Sequence, residues 1–186
     1  MSKWTVHGSR PAFRSPWVEV WLDDVEQPGG HRFEHHVVKF PHPSVGTVVV
    51  AEDRTLLLWR HRHITDAWGW EIPAGWAEPG EDLATAAARE VEEETGHRAA
   101  TIRPLVTYHP LSGISTMRYS VFVATDVTRT GAPVDAAESS KVEWVPLAAV
   151  PELAAAGQIV DGPTLIALSY YLAMRPPAPP RPGSGQ

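Results

Sequence analysis

The segment Arg89-Glu90-Val91-Glu92-Glu93-Glu94 places three carboxylates where a helix would bring them together. Residues three and four apart share a helix face, so Glu90 and Glu94 stand one above the other with Glu93 beside them. Like charges at that spacing repel by about 0.2–0.5 kcal/mol per pair. Near a helix C-terminus the dipole disfavours them further. Such an arrangement calls for compensating cations. With no Cys in the chain and no paired His ligands, clustered carboxylates favour hard, oxygen-seeking ions such as Mg²⁺ or Mn²⁺, completed by water and phosphate oxygens. The bland reading is a solvated helix face, since acid-rich strings are common on surfaces. Spacing alone leaves both open.

The charge balance sharpens the question. The 186 residues carry 22 acids against 16 bases, a formal net charge of -6. Residues 81–94 hold six acids (Glu81, Asp82, Glu90, Glu92, Glu93, Glu94) and one base, Arg89, so about -5 of that charge resides there. A nearly neutral chain with one acidic segment points to a site that wants cations. The length fits one domain able to bury a core. A composition of 43% hydrophobic and 20% charged residues fits a soluble globular chain. The absence of Cys excludes disulfides, thiolate metal sites and a Cys nucleophile. The opening MSKWTVHGSR lacks a signal-peptide core and no apolar run approaches a membrane span, so a cytoplasmic chain without a membrane partner is expected. No basic stretch exists to neutralise the phosphates of duplex nucleic acid.

The elements that must position these acids read as a mixed α/β domain over residues 16–175. Residues 1–15 lack periodicity and are expected to be flexible. The Pro-rich 176–186 is expected to be a disordered tail. WVEVWLDDV and HRFEHHVVKF flank the turn signal QPGG, giving a hairpin over about 17–40. SVGTVVVAED and TLLLWRHR form the next strand pair. DAWGWEIPAGWAEPGED reads as an ordered loop, and LATAAAREVEEETG as a helix with Leu83, Ala87 and Val91 on one side and Gly96 as its stop. Strands resume around TIRPLVTYHP, RYSVFVATDV and KVEWVPLAAV, and a last helix starts near Thr164.

From Gly75 the chain reads GWAEPGEDLATAAAREVEEETGH, which fits G-x5-E-x7-R-E-U-x-E-E-x-G-U at every position but the last. Gly75, Glu81, Arg89, Glu90, Glu93, Glu94 and Gly96 match, and His97 stands where an aliphatic residue is usual. This resembles the Nudix hydrolase family over a box at residues 75–97. The resemblance implies an αβα sandwich with a mixed sheet, in which a loop-helix-loop binds divalent metals against a diphosphate. Glu90 and Glu94 match the usual metal ligands, with Glu93 and Glu81 as further ligands or water-activating groups. Arg89 matches a structural Arg that pairs with a carboxylate, and Gly96 belongs to the same frame. Mg²⁺ is the implied cofactor, with Mn²⁺ as a substitute.

Features outside the box resemble one branch of that family. Glu71-Ile72-Pro73-Ala74-Gly75 is similar to the E-[IL]-P-A-G lead-in of ADP-ribose and nucleoside-diphosphate-sugar pyrophosphatases. By that resemblance the Ala74 carbonyl contacts a metal, while Glu71 and Gly75 border the substrate. Arg62 matches a phosphate- or ribose-facing Arg, and Arg60 replaces a Gln. The implied activity is Mg²⁺-dependent cleavage of a nucleoside diphosphate linked to another moiety, with ADP-ribose leading and AMP and ribose 5-phosphate as products. Other diphosphates, or a non-catalytic ligand-binding role, are the alternatives. Members with the N-terminal hairpin are commonly homodimers in which it packs across the partner.

Two matters stay open at this level. Trp21 and Phe33 on the hairpin could stack on a base, as could Trp17, or serve dimer packing; Trp59 and Trp144 read as core. The general base is unassigned, because Tyr108 to Ser120 contains no acid where the branch often carries one. Glu93, Glu138 and His109 are the candidates.

Overall fold

The computed structural model describes residues 3–134 and 140–175. Glu138 and the 176–186 segment lie outside the described residues. The N-terminal part is a three-stranded antiparallel sheet of β1 (Thr5–Arg14), β2 (Glu19–Glu26) and β3 (Arg32–Lys39), in that order. β2 and β3 form the expected hairpin, with Glu26 opposite Arg32 across the QPGG turn. Within residues 1–15, expected to be flexible, Thr5 to Arg14 form β1 and pair along all of β2. The strand escapes sequence reading for a physical reason. It is exposed along its whole length, so no alternation of apolar and polar residues is imposed on it. Its Pro11 is tolerated because β1 is an edge strand.

The main body is a seven-stranded mixed sheet. Its central path runs β10 (Lys141–Pro146), β5 (Arg54–Arg62), β4 (Ser44–Ala51), β9 (Tyr119–Arg129) and β8 (His97–Tyr108). β4 and β9 are parallel; the other pairs on this path are antiparallel. The stretch expected as one ordered loop contains two more strands, β6 (Ala67–Glu71) on β5 and β7 (Ala74–Trp76) on β4. Its Gly, Pro and Trp content hid them, because each is short and neither alternates cleanly.

Helix α1 (Leu83–Thr95) covers one face of this sheet and α3 (Gly162–Met174) the other, with the short α2 (Val150–Ala155) before α3. β4 is buried on both faces, which suits its run of Val48, Val49 and Val50. Val45 and Val49 join the clusters containing Ala86, Ala87 and Val91 of α1. Val48 and Val50 point the other way, into the cluster containing Ala167 and Leu168 of α3. The buried tryptophan is Trp70 on β6, whereas Trp59 and Trp144, expected as core, are only partly buried. Among the described residues no helix is long and apolar enough to cross a membrane.

Candidate active site

Helix α1 begins at Asp82, whose carboxylate accepts from the amides of Ala84 and Thr85. It ends at Gly96, which takes the left-handed conformation at φ 67°. A Cβ there would also strike the Gly131 carbonyl, so the position is doubly restricted to glycine. His97 follows directly, and its ring packs edge-on against Trp144 with centroids 5.9 Å apart, filling the position where an aliphatic residue was expected.

Glu92 pairs with Arg98 on the outer side of α1, and the remaining acids of the box fall into two groups, each gathered by arginine. Arg89 holds the first group: Nε and Nη2 donate to Glu81 at 3.1 and 3.0 Å, and Nη1 donates to Glu90 at 2.8 Å and to Glu93 at 2.9 Å. Nη2 also donates to the Trp76 carbonyl at 2.9 Å, tying helix to β7. Glu81 above all, then Glu90 and Glu93, keep Arg89 firmly protonated. In return Arg89, with the Glu78 amide, holds Glu81 below the usual carboxylate range. The repulsion expected among these acids is therefore offset within the chain.

The second group lies deeper. Glu94 is 4% exposed; it pairs with Arg60 Nη2, and its other oxygen accepts from the Ala74 amide at 2.9 Å. Burial pushes Glu94 up to about 7, outweighing the Arg60 and Ala74 contacts that act the other way. Arg60 is itself 3% exposed, and its Nη1 lies 3.9 Å from the buried Glu71. Arg62 closes the set from the solvent side: Nε and Nη2 donate to Glu71 at 2.9 and 2.5 Å.

Glycine at position 75 is a packing requirement. A Cβ there would fall on the Glu90 carboxyl group, so this carboxylate rests directly over the β7 backbone. A cleft of about 270 Å³ opens beside these residues, lined among others by Arg60, Arg62, Glu71, Ala74, Gly75 and Asp161. A larger depression of about 510 Å³, near His97 and Trp144, holds none of the acids. The acids and arginines at its border make the smaller cleft the candidate site.

Several expected residues are thus brought together and others are not. Glu71, Gly75, Ala74, Arg60 and Arg62 border the cleft, with Arg60 turned toward buried acids. Trp21 and Phe33 stay on the N-terminal sheet, where Trp21 lies under Lys39 and Arg14, and Phe33 meets Trp4. Trp17 reaches Trp76, with ring centroids 5.8 Å apart. His109 Nδ1 lies 2.9 Å from the Met117 carbonyl.

Sequence reasoning missed Ser44, Met117, Tyr119 and Asp161, which also line the cleft. Only Asp161 carries a local signal, as the N-cap of α3 ahead of Gly162-Pro163-Thr164. The acid-free stretch between β8 and β9 docks on β3: the Val38 amide donates to Ile114 O at 2.8 Å, and His35 Nε2 lies 3.1 Å from Gly113 O. Burial raises the nearby Tyr108 to about 12, so it remains a neutral hydroxyl.

The donor chemistry fits a hard divalent ion. The acids supply only carboxylate oxygens, and Glu90 is already drawn against the β7 backbone. Among the described residues no group of three His, Asp or Glu side chains is already set to hold a metal ion, and Arg89 occupies the space between Glu81, Glu90 and Glu93. Metal uptake would require Glu90 and Glu93 to turn from Arg89.

Comparison with known proteins gives consistent matches. The NUDIX domain model matches residues 40–165, and the nucleoside diphosphate sugar hydrolase N-terminal domain model matches residues 4–38. A CMP-5'-(N-acetyl-N-hydroxy-3-aminopropyl)phosphonate hydrolase of Streptomyces rubellomurinus is 37% identical over 92% of this chain and 84% of its own length. An ADP-ribose pyrophosphatase of Bacillus subtilis is 28% identical over 85% of this chain and 86% of its own. A crystal structure of an ADP compounds hydrolase superposes with a TM-score of 0.83 at 22% identity, covering 93% of this chain and 94% of that one, a likeness of fold.

Proposed function

This chain belongs to the Nudix hydrolase family, and on that footing we propose that it cleaves the phosphoric anhydride of a nucleotide linked to a second phosphorus-bearing moiety, with Mg²⁺ as cofactor. The observation that carries this reading is the gathering of Glu81, Glu90 and Glu93 on Arg89 beside a cleft bordered by Arg62, Glu71 and Ala74. Glu90, Glu93 and Glu94, with Glu81 and the Ala74 carbonyl, are the groups to hold the ion. When bound, a divalent cation supplies positive charge against the anhydride oxygens and activates water.

The chain's own residues do the rest. Arg62, half-exposed at the cleft, swings from Glu71 to orient a phosphate or ribose. Arg89 and Gly96 keep the acidic helix in register with β7 and with the turn after β9. Water attacks one phosphorus, the bridging P–O bond breaks, and a carboxylate takes the proton. Glu93 is the proposed acceptor because its side chain is the most exposed of the Arg89-bound acids. Glu138 is the alternative: if E138Q, and not E93Q, lowers kcat by about 100-fold or more, the base is Glu138.

ADP-ribose is the leading substrate, supported by the Glu71 to Gly75 lead-in and by the ADP-ribose pyrophosphatase relatives. A nucleoside monophosphate joined to a phosphonate is the second reading, favoured by the 37% identical relative. Both keep the same bond cleavage. Purified protein with Mg²⁺ should release AMP from ADP-ribose or CMP from a CMP-phosphonate anhydride. The faster release assigns the substrate, and no release from any nucleoside diphosphate derivative would sink the reading. The N-terminal sheet is the proposed homodimer contact, supported by the exposure of Trp4, Val6 and Phe13 on β1 and before it.

A further inference from the structure

Ser44 opens β4 and is held between two strands, with Trp76 of β7 as its register partner on one side and Tyr119 of β9 on the other. The residue is 3% exposed, yet it lines the cleft. Its hydroxyl has no hydrogen-bond partner among the described residues, and of the buried hydroxyls in that condition it alone belongs to a cleft-lining residue. A buried polar group left unpaired costs free energy, so one kept at a binding wall calls for a partner that arrives with the ligand. Tyr119 adds a second hydroxyl to the same wall. That hydroxyl lies over Gly46, two residues along the same face of β4 as Ser44. Burial holds Tyr119 protonated, well above the ordinary tyrosine range.

Charge is unevenly spread around the cleft. Arg62 on β5, half-exposed, offers the positive charge that a phosphate requires. Ser44 and Tyr119 offer none. Asp161, whose charge reaches Tyr119, already accepts from the Thr164 amide and hydroxyl at 2.8 and 2.7 Å. Two neutral hydroxyls suit a neutral partner that both donates and accepts, which a hydrocarbon chain cannot do and a phosphate does only in part.

We propose that Ser44 is a specificity-determining residue whose hydroxyl, with that of Tyr119, recognises an uncharged, hydroxyl-bearing group on the moiety beyond the anhydride. This rests on the reading that the cleft holds a nucleotide anhydride, and it narrows the second moiety to a sugar-like alcohol.

The test uses full-length protein and adenosine and cytidine diphosphates esterified either to ribose or to propanol, which present the same anhydride with and without hydroxyls beyond it. With Mg²⁺, wild type should favour the ribose esters in kcat/KM. Ser44→Ala should lower that preference by about tenfold or more, since a site built to hydrogen-bond a hydroxyl discriminates strongly against its absence. The same variant should keep its thermal midpoint or raise it, by up to about 4 °C, because it deletes an unpaired buried group. A wild type without the preference, or a variant that retains it, overturns the proposal. A lowered midpoint overturns it too, since the hydroxyl would then serve the fold. Should Ser44→Ala fail to fold, Tyr119→Phe, which keeps the ring, decides on the same preference. A wild type that cleaves none of these esters would defeat the anhydride reading. Calorimetric binding of the same esters then decides: a ribose preference lost in Ser44→Ala supports the role of Ser44, and no such loss overturns it.

Discussion

The Glu90 carboxyl group lies directly over the Cα of Gly75, in space that any side chain at position 75 would claim. A strand of three residues thereby fixes where an acid of the neighbouring helix stands. Gly75→Ala is expected to displace Glu90 and cut kcat/KM by about 100-fold, because ångström-scale misplacement of a reacting group costs that much. Steady-state kinetics beside a thermal melt checks this. Near-wild-type activity would show that Glu90 need not rest on β7.

Arg89 draws three acids and a carbonyl into one cluster. Arg89→Gln should cost about 2 kcal/mol, since it leaves partly buried carboxylates repelling one another. Added Mg²⁺ should restore part of that loss, because a ligand that binds only the folded chain stabilises it. Denaturant midpoints with and without Mg²⁺ measure both. A variant as stable as wild type would remove Arg89 from its framework role.

The raised Glu94 carboxyl gives stability a definite pH dependence. Its folded value, about 7, lies above the ordinary 4.5, so the folded chain binds more protons than the unfolded chain between those values. Stability should therefore fall as pH rises through this window, by about 3 kcal/mol for this group at most. Glu94→Gln should flatten the dependence. Metal-free unfolding curves from pH 4.5 to 7.5 test it, and an unchanged slope in the variant would reassign the effect.

Much of this site was legible beforehand, for a physical reason. The box residues are fixed by contacts local in sequence: the i, i+4 spacing of Glu90 and Glu94, the reach of Arg89 across eight residues to Glu81, and the left-handed stop at Gly96. What stayed hidden depends on contacts distant along the chain. Arg60 meets Glu94 across 34 positions, and no local pattern distinguishes an arginine facing substrate from one facing buried acids. β1 stayed hidden because neither of its faces is covered among the described residues.

That bare strand yields a fourth expectation. If the N-terminal sheet is the contact between two copies, Trp4→Ser combined with Phe13→Ser should convert dimer to monomer in light scattering, with the far-ultraviolet circular dichroism preserved. A wild type that is already monomeric at micromolar concentration would refute the dimer.

The hydrogen bonds from β3 to the segment between β8 and β9 have a wider consequence. Val38 holds Ile114, and the same short segment carries Met117 to the wall of the cleft. The N-terminal sheet is thus a mechanical footing for one side of this cleft. Exchanging residues 4–38 between relatives would carry along the setting of that wall. Substrate preference in such chimeras should follow the donor of the sheet, although no acid of the sheet lines the cleft.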